Sequence, residues 1–272
     1  MPKYELNDLL LLMRHLRDPV SGCPWDKRQT FASVIPHTLE EAYEVADAIE
    51  SNDMDALKLE LGDLLFQVVF YAQIGKESGQ FSFQDIVSSL VEKLLRRHPH
   101  VFPDGTLSSY GQKGVLTNEM EIRQSWEKIK QAEREIKDGK SSLFADVPKT
   151  LPALIRAEKI QKRAAQAGFD WDNLEDVLDK LTEEIVELRS AVEQTDQAAI
   201  AEEMGDVLFS CVNVARHLRV DTETELRNAN KKFQQRFQYI EQTLAKQNQN
   251  MQDTSKTDLE ILWQQAKESE LQ

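Results

Sequence analysis

The feature that most constrains the fold of this chain is an internal repeat. Around residue 40 it reads LEEAYEVADAIE and then KLELGDLLFQVVFYA; around residue 183 it reads TEEIVELRSAVE and then AEEMGDVLFSCVNVA. Glu40, Glu41, Glu44, Glu60 and Asp63 become Glu183, Glu184, Glu187, Glu203 and Asp206 on adding 143, with no gap. Outside that stretch the likeness continues with a shrinking offset. GCPWD at 22–26 matches GFDWD at 168–172, Lys93 and Arg97 match Lys232 and Arg236, and WEKIKQAE at 126–133 matches WQQAKESE at 263–270. The first copy therefore has the longer loops, and HPHVFPDGTLSSYGQKG, with its Pro and Gly residues, is the extra material. Two domains of like fold are expected, 1–137 and 138–272. The linker at about 136–155 is where Gly139, Ser141, Ser142, Pro148 and Pro152 interrupt the pattern.

Each copy reads as helices. Gly and Pro number only 10 and 8 in 272 residues, while the good helix formers Glu, Lys, Leu, Ala and Gln dominate. Leu57, Leu61, Leu64, Leu65 and Val68 follow the spacing of one apolar helix face. Thr38 and Glu41 have the spacing of a capping box, which would start the first acidic helix there. KQNQNMQDTSKT at 246–257 reads as a mobile polar loop before a last helix. The fold class expected is all-α, with two tandem helical bundles.

Composition excludes several kinds of protein. Asp and Glu number 47 against 33 Lys and Arg, a net charge of −14, which disfavours polymeric nucleic acid as a partner. Cys23 and Cys211 stand far apart with no CxxC, so neither a zinc site nor a disulfide framework is indicated. The N-terminus carries charges where a signal peptide would need an apolar stretch, and no run approaches the roughly 18 apolar residues of a membrane span. A cytoplasmic protein with no membrane partner is expected.

The repeated carboxylates carry the chemistry. At about 100° per residue an i,i+3 pair projects from one helix face. Glu184 and Glu187 form one such pair and Glu203 and Asp206 the next, so two antiparallel helices would gather four carboxylates. The same holds for Glu41, Glu44, Glu60 and Asp63. A single EExxE is ordinarily a solvated face, but the 16-residue separation of Glu44 from Glu60 and of Glu187 from Glu203 is the same in both copies. Converging negative charges call for a hard divalent cation, and Mg²⁺ takes oxygen ligands shared with phosphates and water. Lys232 and Arg236, like Lys93 and Arg97, sit i,i+4 on a later helix, where Arg can bind phosphate bidentately and Lys as a point charge. Trp263 with Lys267, and Trp126 with Lys130, would pair a base-stacking face with a phosphate-reaching cation. Core packing is the competing reading for these Trp residues, and it is the one adopted for Trp25 and Trp171. His98 and His100, in the long first-copy loop, receive no role.

EExxE followed by ExGD, an N-x-K helix and a C-terminal LWxxAK resemble the MazG family of nucleoside triphosphate pyrophosphohydrolases. The resemblance covers nearly the whole chain, including the tandem arrangement and SSLFADVPKTLPALIRAEKIQKRAAQAGFDW. It implies an all-α core of four or five helices, similar to that of dimeric dUTPases and phosphoribosyl-ATP pyrophosphohydrolase. It further implies Mg²⁺-dependent cleavage of nucleoside triphosphates to monophosphate and pyrophosphate, broad base tolerance, a homodimer and a nucleotide house-cleaning role. Carried over, Glu184, Glu187, Glu203 and Asp206 would hold Mg²⁺. Asn230, Lys232 and Arg236 would contact the triphosphate, Trp263 and Lys267 would close over base and phosphates, and Glu184 would activate water.

The first copy keeps a second possible set, Glu41, Glu44, Glu60, Asp63, Lys93, Arg97, Trp126 and Lys130. It replaces NKK at 230–232 by VEK at 91–93, placing Glu92 where a triphosphate should lie, so the second copy is expected to be the principal site. Two rivals remain. A di-iron carboxylate bundle needs Glu-x-x-His, whereas His217 lies 11 residues past Asp206. A non-catalytic acidic scaffold explains the composition but not the matched cations.

Overall fold

The computed structural model describes residues 3–112, 118–138 and 143–269. Ten α-helices carry the fold, and no strand occurs among the described residues. Contacts divide the chain into two compact units, 1–133 and 134–272. The division falls inside one helix, just before the 137/138 join read from the sequence, and the expected linker has helix running into it from both sides.

Unit 1 contains α1 (Leu6–Leu16), α2 (Phe31–Glu50), α3 (Met54–Glu77), α4 (Phe83–Arg97) and most of α5 (Glu119–Asp138). Helices α2 and α3 form an antiparallel hairpin joined by Ser51, Asn52 and Asp53. Asn52 takes a left-handed φ of 56°, and the Asp53 carboxylate caps α3 by accepting from the backbone N–H of Asp55 and Ala56. Met13, Val34, Val69, Phe70 and Ile74 form the core, with Leu9, Leu10, Phe31, Phe66, Tyr71 and Phe83 packed against it. Arg17 closes the loop after α1 onto this core. Its guanidinium pairs with Glu77 at 2.6 Å and donates to the carbonyls of Asp26 and Gln29.

The start of α2 departs from the expected capping box. The helix begins at Phe31, with Thr30 and Ser33 capping reciprocally, so Thr38 lies inside it. Thr38 Oγ1 instead bonds back to the Val34 carbonyl and meets the Tyr71 hydroxyl at 2.9 Å. Phe31 stacks on Tyr71, and burying it rewards the earlier start even though Pro36 withdraws one donor from the helix. The apolar row on α3 is also only partly covered. Leu61, Leu65 and Val68 remain exposed, while the buried face is Gln67, Val69, Phe70, Ala72, Ile74 and Gly75. Helix α1 covers the C-terminal half of α3 and leaves the row around Leu61 uncovered within the unit.

Unit 2 repeats the plan with α6 (Ala153–Gln166), α7 (Leu174–Gln194), α8 (Gln197–Leu218), α9 (Thr222–Lys246) and α10 (Lys256–Ser269). The α7–α8 turn reproduces the α2–α3 turn. Thr195 is left-handed at φ 57° and Asp196 caps α8, at the repeat positions of Asn52 and Asp53. Two contacts fasten the layers: Gln161 Nε2 donates to the Phe209 carbonyl at 2.8 Å, and Arg216 clamps Asp170 of the GFDWD loop. Helices α9 and α10 pack through Ile240, Leu244 and Leu262, with Leu259, Trp263 and Met251 against them. Met251 anchors the 246–257 stretch, expected as a mobile loop, in that cluster through a short 3₁₀ turn at Met251–Asp253. No helix among the described residues is long and apolar enough to cross a membrane.

Candidate active site

Both hairpins gather carboxylates. Glu184 and Glu187 on α7 and Glu203 on α8 each offer an oxygen within 4.8 Å of the others, and Glu41, Glu44 and Glu60 do the same on α2 and α3. Hairpin geometry explains this: i,i+3 residues share a face, and the tight turn sets the register of the facing helix. Asp206 and Asp63 are exposed and lie outside these tight trios, yet their charges act on them. Partial burial raises the proton affinity of Glu203, and Glu187, Asp206 and Glu184 add to the effect. Glu41 is raised in the same way, by burial first and then by Asp63 and Glu44, while Gln67 opposes the rise by donating to it at 3.2 Å. Three converging carboxylates make an all-oxygen donor set that fits a hard cation such as Mg²⁺. Neither trio contains a histidine, and His217 bonds Asp170 instead, which removes the basis of the di-iron reading.

Sequence reasoning passed over Lys180. Its ammonium lies 2.8 Å from both Glu183 and Glu184, and those two bonds push its pKa up. The i,i+3 and i,i+4 spacing was the available signal. The repeat position in unit 1 is His37, 3.7 Å from Glu40.

A second group forms on α9 and α10. The Arg236 guanidinium lies 5.6 Å from the Trp263 ring centroid, and Phe233 lies against the same ring at 5.2 Å. Trp263 lines a cavity of about 300 Å³ with Phe233, Phe237, Ile240, Met251 and Leu259. It is therefore both a core residue and an accessible face, so the two readings of this Trp are compatible. Asn230 and Lys232 are exposed on α9, and Lys267 is half-buried in the last turn of α10.

In unit 1 the corresponding groups are engaged by their own neighbours. Glu133 takes Arg97 at 2.5 Å and Arg96 at 2.7 Å, and the Arg97 hydrogen bonds chiefly hold the Glu133 carboxyl below its usual range. His98 meets the Trp126 ring edge-on at 5.0 Å, and Lys130 lies 5.7 Å from its centroid. The repeat equivalent of Glu133 is Glu270, outside the described residues. Lys93 is half-buried on α4. Trp25 packs edge-on against Phe70 and His37, while Trp171 is partly exposed at the Asp170 clamp.

The model of the MazG nucleotide pyrophosphohydrolase domain matches twice, at residues 29–102 and 172–240, each spanning a carboxylate hairpin and the Lys/Arg pair of the helix that follows. A nucleoside triphosphate pyrophosphohydrolase of Escherichia coli is 49% identical over 269 residues, 98% of each chain. The MazG nucleoside triphosphate pyrophosphohydrolase/pyrophosphatase of Thermotoga maritima is 42% identical over 260 residues, 96% of this chain and 94% of its own. YabN of Bacillus subtilis is 42% identical over 268 residues, which make up 98% of this chain and 52% of that protein. With both hairpins inside the matched segments, this chain belongs to the MazG family of nucleotide pyrophosphohydrolases.

Proposed function

We propose that this protein hydrolyses nucleoside triphosphates to the monophosphate and pyrophosphate in a Mg²⁺-dependent reaction, with unit 2 as the principal site. The observation that carries the reading is the Glu184, Glu187 and Glu203 trio, which shares its unit with the Arg236–Trp263 pair. Glu184, Glu187, Glu203 and Asp206 are the residues that would hold Mg²⁺. Bound there, it would neutralise phosphate charge and lower the pKa of water.

The protein's own groups do the rest. Asn230, Lys232 and Arg236 bind the triphosphate, and Trp263 and Lys267 close over base and phosphates. Stacking on Trp263 reads no base edge, which supports broad base tolerance and a house-cleaning role. Glu184, the buried carboxylate of the trio and held in place by Lys180, takes the proton from water as its oxygen attacks the α-phosphorus. The bond from the α-phosphorus to the bridging oxygen breaks, and pyrophosphate leaves with that electron pair. In unit 1 the like charge of Glu92, where unit 2 has Lys231, disfavours a triphosphate. The uncovered rows, Leu61 and Leu65 on α3 and Met204 and Leu208 on α8, support a homodimer in which a second copy covers them.

The test is turnover of each common nucleoside triphosphate with and without Mg²⁺, with products separated by chromatography. Monophosphate plus pyrophosphate, lost when Mg²⁺ is removed, is expected. Diphosphate plus orthophosphate would place the cleavage at the wrong bond, and no turnover would restore the acidic-scaffold reading.

A further inference from the structure

A cavity of about 380 Å³ lies in unit 1 between α1, α3 and the start of α4, away from the carboxylate trio. Gln73, on its wall, is 13 residues along α3 from Glu60, about 20 Å at the helical rise. Its apolar lining includes Leu10, Met13, Val69 and Phe83, and Asn7, Gln73 and Gln84 supply amides. Arg14 and Lys76 complete it, and no carboxylate lines it. On a chain with a net charge of −14, this cavity is bordered by two cations and, among the described residues, by no acid.

Three positive features converge on this space. Arg14 stands in the last turn of α1 and Lys76 in the last turn of α3, and neither has a carboxylate within ion-pair distance among the described residues. Basic residues at helix C-termini ordinarily complement the helix dipole. Here the opposite end of a third helix meets them, because Ser82, Phe83 and Gln84 at the positive N-terminus of α4 line the same cavity. The nearest acid on that helix, Asp85, is turned into its cap, accepting from the Ser82 N–H and hydroxyl at 2.7 Å. An adjoining cavity shares Arg14 and Gln73 and adds Arg17 and Lys27 against Asp18 and Glu77. Both acids are already engaged, Glu77 by Arg17 and Asp18 by the N–H groups of Val20 and Ser21.

We propose that this cavity is a binding site for a small phosphate monoester with an apolar or aromatic body, separate from the pyrophosphohydrolase site. A guanidinium, an ammonium and a helix N-terminus together suit a doubly charged phosphate better than a singly charged carboxylate. The Leu10, Met13, Val69 and Phe83 wall takes the organic body, and a cavity of this size matches small-molecule sites in general.

Calorimetric titration of the full chain with phenyl phosphate in EDTA tests this, because chelation silences any metal held by the carboxylates. Arg14→Glu with Lys76→Glu, both at exposed positions, is expected to weaken binding roughly tenfold or more. Lys232→Ala with Arg236→Ala is expected to leave it unchanged. Three results would overturn the proposal: no saturable binding, equal affinity in the charge-reversed variant, or loss only in the Lys232 and Arg236 variant. Inorganic phosphate binding as tightly as phenyl phosphate would overturn the role of the apolar wall. Triphosphate turnover with Mg²⁺, measured on the same variants, keeps a failure here distinct from a failure of the pyrophosphohydrolase reading.

Discussion

At the scale of residues, a carboxylate means different things in the two units. Glu41 has Gln67 as a neutral donor, whereas Glu184 has the ammonium of Lys180. On the cation helix, unit 1 carries Glu92 where unit 2 carries Lys231. Glu203→Ala is therefore expected to lower kcat/KM for nucleoside triphosphates at least about 100-fold, beyond the usual loss for a residue that only supports a metal ligand. Glu60→Ala is expected to retain most activity, and equal losses in steady-state assays would refute the asymmetry. Asp170 makes a separate prediction about acid stability. Hydrogen bonds from Arg216 chiefly hold its carboxyl at about 2, below the ordinary 3.8. A depressed folded pKa stabilises the fold above the ordinary value, and that contribution fades as pH falls toward the folded one. Asp170→Asn should cost about 1 kcal/mol at neutral pH, allowing for solvent screening of a partly exposed group. In urea titrations its deficit against the parent protein should shrink from about pH 4 downward.

Among the helices, the repeat extends into backbone geometry. Asn52 and Thr195 occupy the same turn position with φ of 56° and 57°. Asn tolerates the left-handed region, but β-branched Thr does not, and strain of about 1 kcal/mol is expected at that one residue. Thr195→Asn should raise the unfolding free energy by that amount, read from urea titrations, without changing turnover. The opposite shift would mean that the Thr195 side chain makes a compensating contact. The paired turns carry Asn-Asp at 52–53 and Thr-Asp at 195–196, while the start of α2 departs from its sequence pattern. As a local pattern Thr38-x-x-Glu41 fits the capping box better than Thr30-x-x-Ser33, yet the helix starts at Phe31. The stacking of Phe31 on Tyr71, 40 residues away, distinguishes them, and no local window contains that contact.

For the whole molecule, the exposed apolar rows matter most. Leu61 and Leu65 on α3 recur as Met204 and Leu208 on α8, all exposed. Rows of this kind at matching positions are the surface that the proposed homodimer would cover. The parent protein is expected to show the light-scattering mass of a dimer, and Leu208→Glu to shift it toward monomer, with Leu65→Glu as the parallel test. An unchanged mass in both variants would place the dimer contact elsewhere.

The sequence by itself determined the all-α class, the duplication and the three glutamates that meet in each hairpin, whereas Asp63 and Asp206, expected with them, lie outside the trios. Those properties follow from periodicity and fixed spacing, which bring i,i+3 and i,i+4 neighbours onto one face whatever the rest of the chain does. It could not determine which apolar faces are covered, that Lys180 would meet Glu184, or that Arg97 would be taken by Glu133. The Lys180 contact is local, but rotamer choice among several carboxylates decides it. The other outcomes depend on how distant helices pack. Only the tertiary structure decided them, because burial and long-range ion pairing are set by chain segments that become neighbours when the helices dock.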